Sequence, residues 1–161
     1  KVDGDEIAMR LIVANSYDGS RKVRLVFGAY RLECENGMYI GSLLLTLNRR
    51  HIGDVSLEVT QIRKQVAMIT EQFKASAPRM QKMANKHLVS QKKFFDPKAL
   101  HIPAYLTAIA RKQFKQAEDG TVWDAYNALT FAITHKMKKP NPELAMTLGK
   151  NAWGAAIARL K

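Results

Sequence analysis

The sequence predicts an α+β fold in which an N-terminal antiparallel β-hairpin or small sheet precedes a long helix and a helical C-terminal half. Three observations lead to this class: alternating apolar positions near the N-terminus, a change to helical spacing near residue 54, and proline and cap residues that divide the remaining chain into helices. The length of 161 residues, 47% of them hydrophobic, suits one core. We therefore expect a single domain over residues 1–161, with a β-rich part over 7–47 and a helical part over 54–160.

The predicted β part rests on two alternating runs. Apolar residues alternate along residues 7–14 and 23–30, and the Asp18-Gly19 step between them is typical of a hairpin turn. The second run breaks at Asn36-Gly37, which predicts another tight turn. A third strand is expected over residues 38–47.

An apolar stripe at heptad spacing predicts one long helix from about Asp54. Its members are Val55, Val59, Ile62, Val66, Ile69 and Phe73. Pro78 falls inside the continuing pattern, which predicts a kink or a short break just before it. We interpret the stripe as core packing against the sheet, and self-association through an exposed part of the helix is the alternative.

Three further helices are predicted in the C-terminal half. The first covers residues 103–114, and the second follows Thr121 as its cap and extends to Met137. The third covers residues 142–160, with Pro142 in its first turn.

Charge is distributed unevenly along the chain. The net charge is +12; residues 1–40 balance six Lys and Arg against six Asp and Glu, so the excess lies in residues 41–161. Such an excess favours a polyanionic partner, and nucleic acid is the expected one. The longest apolar stretch is too short to cross a bilayer, and no helix pairs a basic face with a bulky apolar face, so no membrane partner is predicted. The single cysteine, Cys34, allows no intrachain disulfide and suits a reducing, cytoplasmic setting.

Basic residues cluster at several places that are predicted to bind nucleic acid. The window from Lys74 to Phe95 contains no acidic residue, and Arg79, Lys82 and Lys86 are spaced to share one helical face. The complete predicted set is Arg21, Lys22, Arg49, Arg50, Lys74, Arg79, Lys82, Lys86, Lys92, Lys93, Arg111, Lys112 and Lys115. Phe94 and Phe95 offer either stacking surfaces for unpaired bases or core anchors, and we favour the core.

Signatures of catalysis are weak. The four histidines never approach metal-ligand spacing, and no phosphate-binding glycine loop or dinucleotide fingerprint is present. We therefore predict no catalytic residue, no metal and no cofactor. A metal-dependent nuclease is the third-ranked function, because Asp18, Glu33, Glu35 and His51 all fall in or beside the β part.

Four motifs carry a family resemblance over residues 7–135. They are Asn15-Ser16-Tyr17-Asp18-Gly19-Ser20, the segment from Gly28 to Gly37, Arg50-His51-Ile52-Gly53, and Trp123-Asp124-Ala125-Tyr126-Asn127-Ala128-Leu129-Thr130. Together they resemble the phage- and plasmid-borne family of unknown function numbered nine-three-two. The resemblance implies carriage on phages or plasmids inside a bacterial host, and no established catalytic residues.

The leading functional expectation is binding of DNA, preferably single-stranded, in replication or recombination. A short sheet followed by a long helix is also weakly similar, at the level of fold, to phage single-strand annealing recombinases, which predicts an annealing-type role and a homo-oligomer. The alternative is a non-catalytic regulator or counter-defence protein that binds a host protein.

Overall fold

A computed structural model describes residues 6–14, 24–31, 36–38, 55–116, 120–139 and 141–161. Side chains are described at residues 6–9, 60, 63–116, 120–139, 141 and 144–161. The predicted Asp18-Gly19 turn and the expected strand beyond residue 38 lie outside the described residues.

Three short strands form the described backbone at the N-terminus: β1 (Ile7–Ala14), β2 (Arg24–Arg31) and β3 (Asn36–Met38). They are ordered β1-β2-β3, and both pairings are antiparallel, with Ile7 opposite Arg31 and Tyr30 opposite Gly37. The predicted tight turn at Asn36-Gly37 is wrong, because both residues pair within β3. A dipeptide that favours turns sets only a local backbone preference. In this chain, pairing with β2 decides the conformation of Asn36 and Gly37.

The predicted fold class, α+β with an antiparallel hairpin or sheet as a main component, is wrong. Of the residues whose side chains the structure describes, 72% are helical, and the strand among them is a single three-residue segment, 7–9. The fold is mainly helical, and the strands contribute Ile7 and Met9 to the edge of a core that the helices build. Alternation correctly marked extended segments, but periodicity carries no information about which elements supply the core.

Six helices follow in the described chain: α1 (Val55–Ala84), α2 (Gln91–Phe94), α3 (Pro97–Leu100), α4 (Ala104–Phe114), α5 (Val122–His135) and α6 (Pro142–Ala158). The long helix and the three C-terminal helices are confirmed, with ends within about two residues of the predicted ones. Of the predicted kink or short break before Pro78, the break is wrong, because α1 continues through this residue. Helices α2 and α3 were not predicted, because each is a single turn and too short to show a helical period.

The core is centred on α5, which is buried nearly all round. Ten of its side chains are buried, and α1, α4 and α6 pack against it. The largest fully buried side chains among the described residues are Ile69, Met80, Met83, Phe94, Ile102, Leu106, Trp123, Tyr126, Leu129 and Ile133. A helix that is buried over most of its surface needs neighbours on several sides, and β3 also packs against α5.

The apolar stripe of α1 packs into this helical core. Ile69 is buried, Val66 and Phe73 are half-buried against the core, and α1 contacts α5 and α6. The interpretation of the stripe as core is therefore confirmed for its described members, but its main neighbours are helices and not the sheet. β1 does approach it, since the Thr70 hydroxyl lies 3.9 Å from the Met9 sulfur. The predicted stripe members before residue 63 have side chains outside the described set.

Candidate nucleic-acid interface

The acid-free window begins on α1, where its first cation is not free. The ammonium of Lys74 lies 2.8 Å from the Glu71 carboxylate, one helical turn away. Both side chains are largely exposed, so the pair contributes little to stability, but it partly neutralises Lys74. Lys74 is therefore the weakest member of the predicted set in this window.

Two cations of the window share the exposed face at the end of α1. Arg79 and Lys82 are three residues apart and exposed, whereas Met80 and Met83, which follow them in the sequence, are buried. The prediction that Lys86 continues this helical face is wrong, because α1 ends at Ala84. Lys86 is half-buried, and backbone hydrogen bonds to the start of α5 hold it in place.

Residues 86–88 are joined to the start of α5 by backbone hydrogen bonds, an arrangement here called the backbone clasp. The amide of Leu88 donates to the Gly120 carbonyl at 2.9 Å, and the amide of Val122 donates to the Lys86 carbonyl at 2.8 Å. His87 and Thr121 pair as an isolated antiparallel bridge between these bonds. Gly120 has φ +61°, a conformation that glycine adopts without strain. The clasp attaches the backbone of Lys86 to the start of α5.

A capping box completes this junction. The Thr121 hydroxyl accepts a hydrogen bond from the Asp124 amide at 3.1 Å, and the Asp124 carboxylate accepts one from the Thr121 amide at 2.8 Å. This reciprocal arrangement satisfies two otherwise unpaired amides at the start of α5. The first turn of α5 is thereby held rigid beneath the clasp.

The last cations of the window lie on α2. Lys92 and Lys93 are exposed, while Phe94 and Phe95 turn inward and are buried. The Phe95 ring lies 5.1 Å from the Phe94 ring and 5.6 Å from that of Phe114, measured between centroids. The interpretation of the two phenylalanines as core anchors is confirmed, and they offer no stacking surface.

Residues from four segments converge on one cleft, here called the basic cleft, with a volume of about 310 Å³. It is lined by Lys86, His87, Leu88, Val89, Ser90, Lys93, Val122, Ala158 and Arg159. Among these described lining residues none is acidic. The guanidinium of Arg159 donates to the Lys93 carbonyl at 3.3 Å, which joins the turn after α6 to α2.

Three cations of the basic cleft lack a neutralising carboxylate in the part of the chain that the structure describes. Neither Lys86, Lys93 nor Arg159 forms an ion pair there. Cations gathered without counter-charge repel one another and attract a phosphate. The arrangement is chemically suited to binding an anion.

Arg159, His87 and Ser90 line the cleft but were not predicted from the sequence. Arg159 follows an apolar helix, where a lone cation at a C-terminus is expected to complement the helix dipole. Its place beside Lys93, 66 positions earlier, has no sequence signal.

The remaining predicted cations lie elsewhere. Arg111, Lys112 and Lys115 are exposed at the C-terminal end of α4, and none of them lines the basic cleft. Arg21, Lys22, Arg49 and Arg50 lie outside the residues whose side chains are described.

Over the described residues, no group of three or more His, Cys, Asp and Glu side chains is placed to hold a metal ion. In the same part of the chain, every helix is too short or too polar to cross a membrane.

Residues 1–153 match the family described as a domain of unknown function, DUF932. The chain belongs to this family. The sequence resemblance to it is thus confirmed, whereas the weaker similarity to annealing recombinases gains no support. No curated protein and no solved structure matches this DUF932 chain.

The structure explains one motif on which the family resemblance was based. In the segment from Trp123 to Thr130, Asp124 forms the capping box and Trp123, Tyr126 and Leu129 fill the core. The Asn127 Oδ1 atom is buried with no hydrogen-bond partner among the described residues. This motif therefore builds the central helix of the DUF932 chain.

Proposed function

We propose that this DUF932 chain binds nucleic acid, single-stranded DNA in preference to duplex, in the replication or recombination of a phage or other mobile element. The observation that carries the proposal is the convergence of Lys86, Lys93 and Arg159 on one cleft, whose described lining residues include no acidic one. Phosphate contacts supply most non-specific affinity for nucleic acid, and unpaired cations are the groups that make them.

Neighbouring cations extend this positive surface. Arg79 and Lys82 on α1 and Lys92 on α2 are exposed, in the sequence window that contains the cleft lysines. A strand anchored in the basic cleft would find further phosphate partners along these helices. Single-stranded DNA suits the site better than duplex because a small concave cleft admits one backbone unit but not a rigid double helix.

Binding is tested by fluorescence anisotropy with a labelled 30-nucleotide single strand, the matching duplex and an RNA of the same sequence, each at two salt concentrations. We expect the single strand to bind most tightly and its affinity to fall steeply with salt. A quadruple change, Arg79→Gln, Lys82→Gln, Lys92→Gln and Lys93→Gln, should weaken binding and lower the salt slope by about 0.7 for each phosphate that the variant no longer neutralises.

The control is the double change Lys139→Gln and Lys150→Gln, and its loss of affinity is compared with that of the quadruple variant per charge removed. Both lysines are exposed and lie outside the basic cleft. The control should keep most of the wild-type affinity and slope. Equal losses of binding free energy per charge removed would show that the effect comes from net charge alone. If none of the three nucleic acids binds at low salt, the proposal is refuted and an acidic protein partner is left as the alternative.

We also propose that the chain assembles as a homo-oligomer when it binds DNA. The observation in favour is Met68, which lies on α1 and is 50% exposed, one position before the buried Ile69. Light scattering with and without single-stranded DNA tests this, and Met68→Glu should lower the measured mass. A strict monomer in both states would refute it.

A further inference from the structure

We propose that the basic cleft is a pocket for a single nucleotide unit, in which the cations hold one phosphate ester and the aliphatic wall contacts the attached sugar or base. This inference rests on the proposed function, since it names the part of a nucleic acid that the cleft receives. It differs from that function in requiring an apolar contact as well as charge.

The cationic lining residues have hydrogen-bond donors that the described residues do not use. A guanidinium carries five N–H donors, and the structure shows Arg159 using one of its nitrogens for the Lys93 carbonyl. The ammonium groups of Lys86 and Lys93 form no hydrogen bond or ion pair with described residues. A phosphate oxygen can therefore meet a guanidinium and an ammonium without breaking a bond of the folded protein.

Part of the pocket lining is aliphatic. Val89 is 96% exposed, so it has no packing role, and its neighbours in the lining are Leu88, Val122 and Ala158. Isolated exposed valines are common and need no explanation by themselves. Here the valine borders a cleft with three cations, and charge beside an apolar surface matches the chemistry of a nucleotide better than that of inorganic phosphate.

Size and rigidity agree with this ligand. A volume of about 310 Å³ lies at the lower end of small-molecule pockets, which span roughly 300 to 1,000 Å³. The backbone clasp fixes residues 86–88, and the Arg159 hydrogen bond fixes the turn after α6. A pre-formed pocket loses little entropy when a ligand binds, which favours a small ligand such as one nucleotide.

The first test is calorimetric titration of the full chain at low salt with four probes: pentathymidylate, thymidine 5′-monophosphate, thymidine and inorganic phosphate. We expect pentathymidylate to bind most tightly and the monophosphate to bind more tightly than either thymidine or phosphate. Binding of the free monophosphate shows that the pocket accepts one unit, and the extra affinity of pentathymidylate measures the contribution of neighbouring phosphates. Inorganic phosphate binding as tightly as the monophosphate would overturn the apolar half of the inference.

The second test uses substitutions to separate the apolar contribution to binding from the cationic one. Val89→Ser should weaken the monophosphate and pentathymidylate by about three- to tenfold with an unchanged salt slope, because a valine contact involves apolar surface only. Lys93→Gln should weaken pentathymidylate and lower its salt slope by about 0.7. Lys139→Gln is the control for removal of one exposed charge, and all three substituted positions are exposed, so folding should be unaffected.

The failure of this inference can be told apart from that of the proposed function. If the 30-nucleotide strand binds with the expected salt dependence while Val89→Ser and Lys93→Gln change nothing, the strand lies elsewhere and the pocket assignment is overturned. If the monophosphate binds in the expected order but no long strand does, the pocket is supported and binding of nucleic acid is refuted.

Discussion

The Arg159 guanidinium donates a hydrogen bond to the backbone carbonyl of Lys93, and this 3.3 Å contact ties the turn after α6 to α2. Arg159 and Lys93 both line the basic cleft, so this hydrogen bond joins two of its three cationic residues. The position of the C-terminal turn is thus coupled to the basic cleft.

Arg159→Gln should weaken binding of single-stranded DNA more than Lys139→Gln does, although each removes one charge. The reason is that Arg159 lines the cleft, while Lys139 does not. The free energy of unfolding should fall by no more than about 1 kcal/mol, because the variant lacks one partly exposed hydrogen bond. Anisotropy and urea denaturation measure the two effects, and equal affinity of the two variants would contradict the assignment of Arg159.

Thr121→Ala should lower the free energy of unfolding by about 1 kcal/mol, because the capping box loses its hydroxyl. Thr121→Ser keeps the hydroxyl and should recover most of this stability. Urea denaturation of both variants measures the difference. Hydrogen exchange of the Leu88 and Val122 amides should also speed up in the alanine variant, since both belong to the clasp beside the cap. Unchanged stability in Thr121→Ala would show that the cap is dispensable.

Met83→Ala should cost about 2 to 5 kcal/mol of stability, because Met83 is fully buried and its truncation leaves a cavity. Met68→Ala on the same helix is the matched control, with a side chain that is half exposed, and should stay within about 1 kcal/mol of wild type. Thermal and urea unfolding distinguish them. Similar costs at both positions would contradict the assignment of the buried face of α1.

His101→Gly should leave stability unchanged or raise it by up to about 1 kcal/mol, whereas His101→Val should lower it. His101 ends α3 with φ +50°, a left-handed conformation that costs a residue with a Cβ atom roughly 1–2 kcal/mol. Glycine removes this cost but adds entropy to the unfolded chain, and a β-branched side chain increases the strain. Denaturant midpoints give the order Gly, His, Val, and a valine variant as stable as wild type would contradict it.

Local sequence patterns determined most of the described helices of this chain. The heptad stripe marked α1, Thr121 marked the start of α5, and Pro142 marked the start of α6, since spacing, caps and prolines act within a few residues. The same reasoning identified the acid-free window and the family, and it assigned Phe94 and Phe95 to the core.

Only the tertiary structure decided how those elements combine. Helices build most of the core because α5 has helical neighbours on several sides. The hydrophobic periodicity of a sequence does not encode which elements become neighbours. Lys86 does not share the helical face of Arg79 and Lys82, because α1 ends two residues earlier. Its backbone carbonyl instead accepts a hydrogen bond from the Val122 amide. Arg159 joined Lys93 from the far end of the chain because packing of α6 brings them together, and contacts between residues that distant leave no local pattern in a sequence.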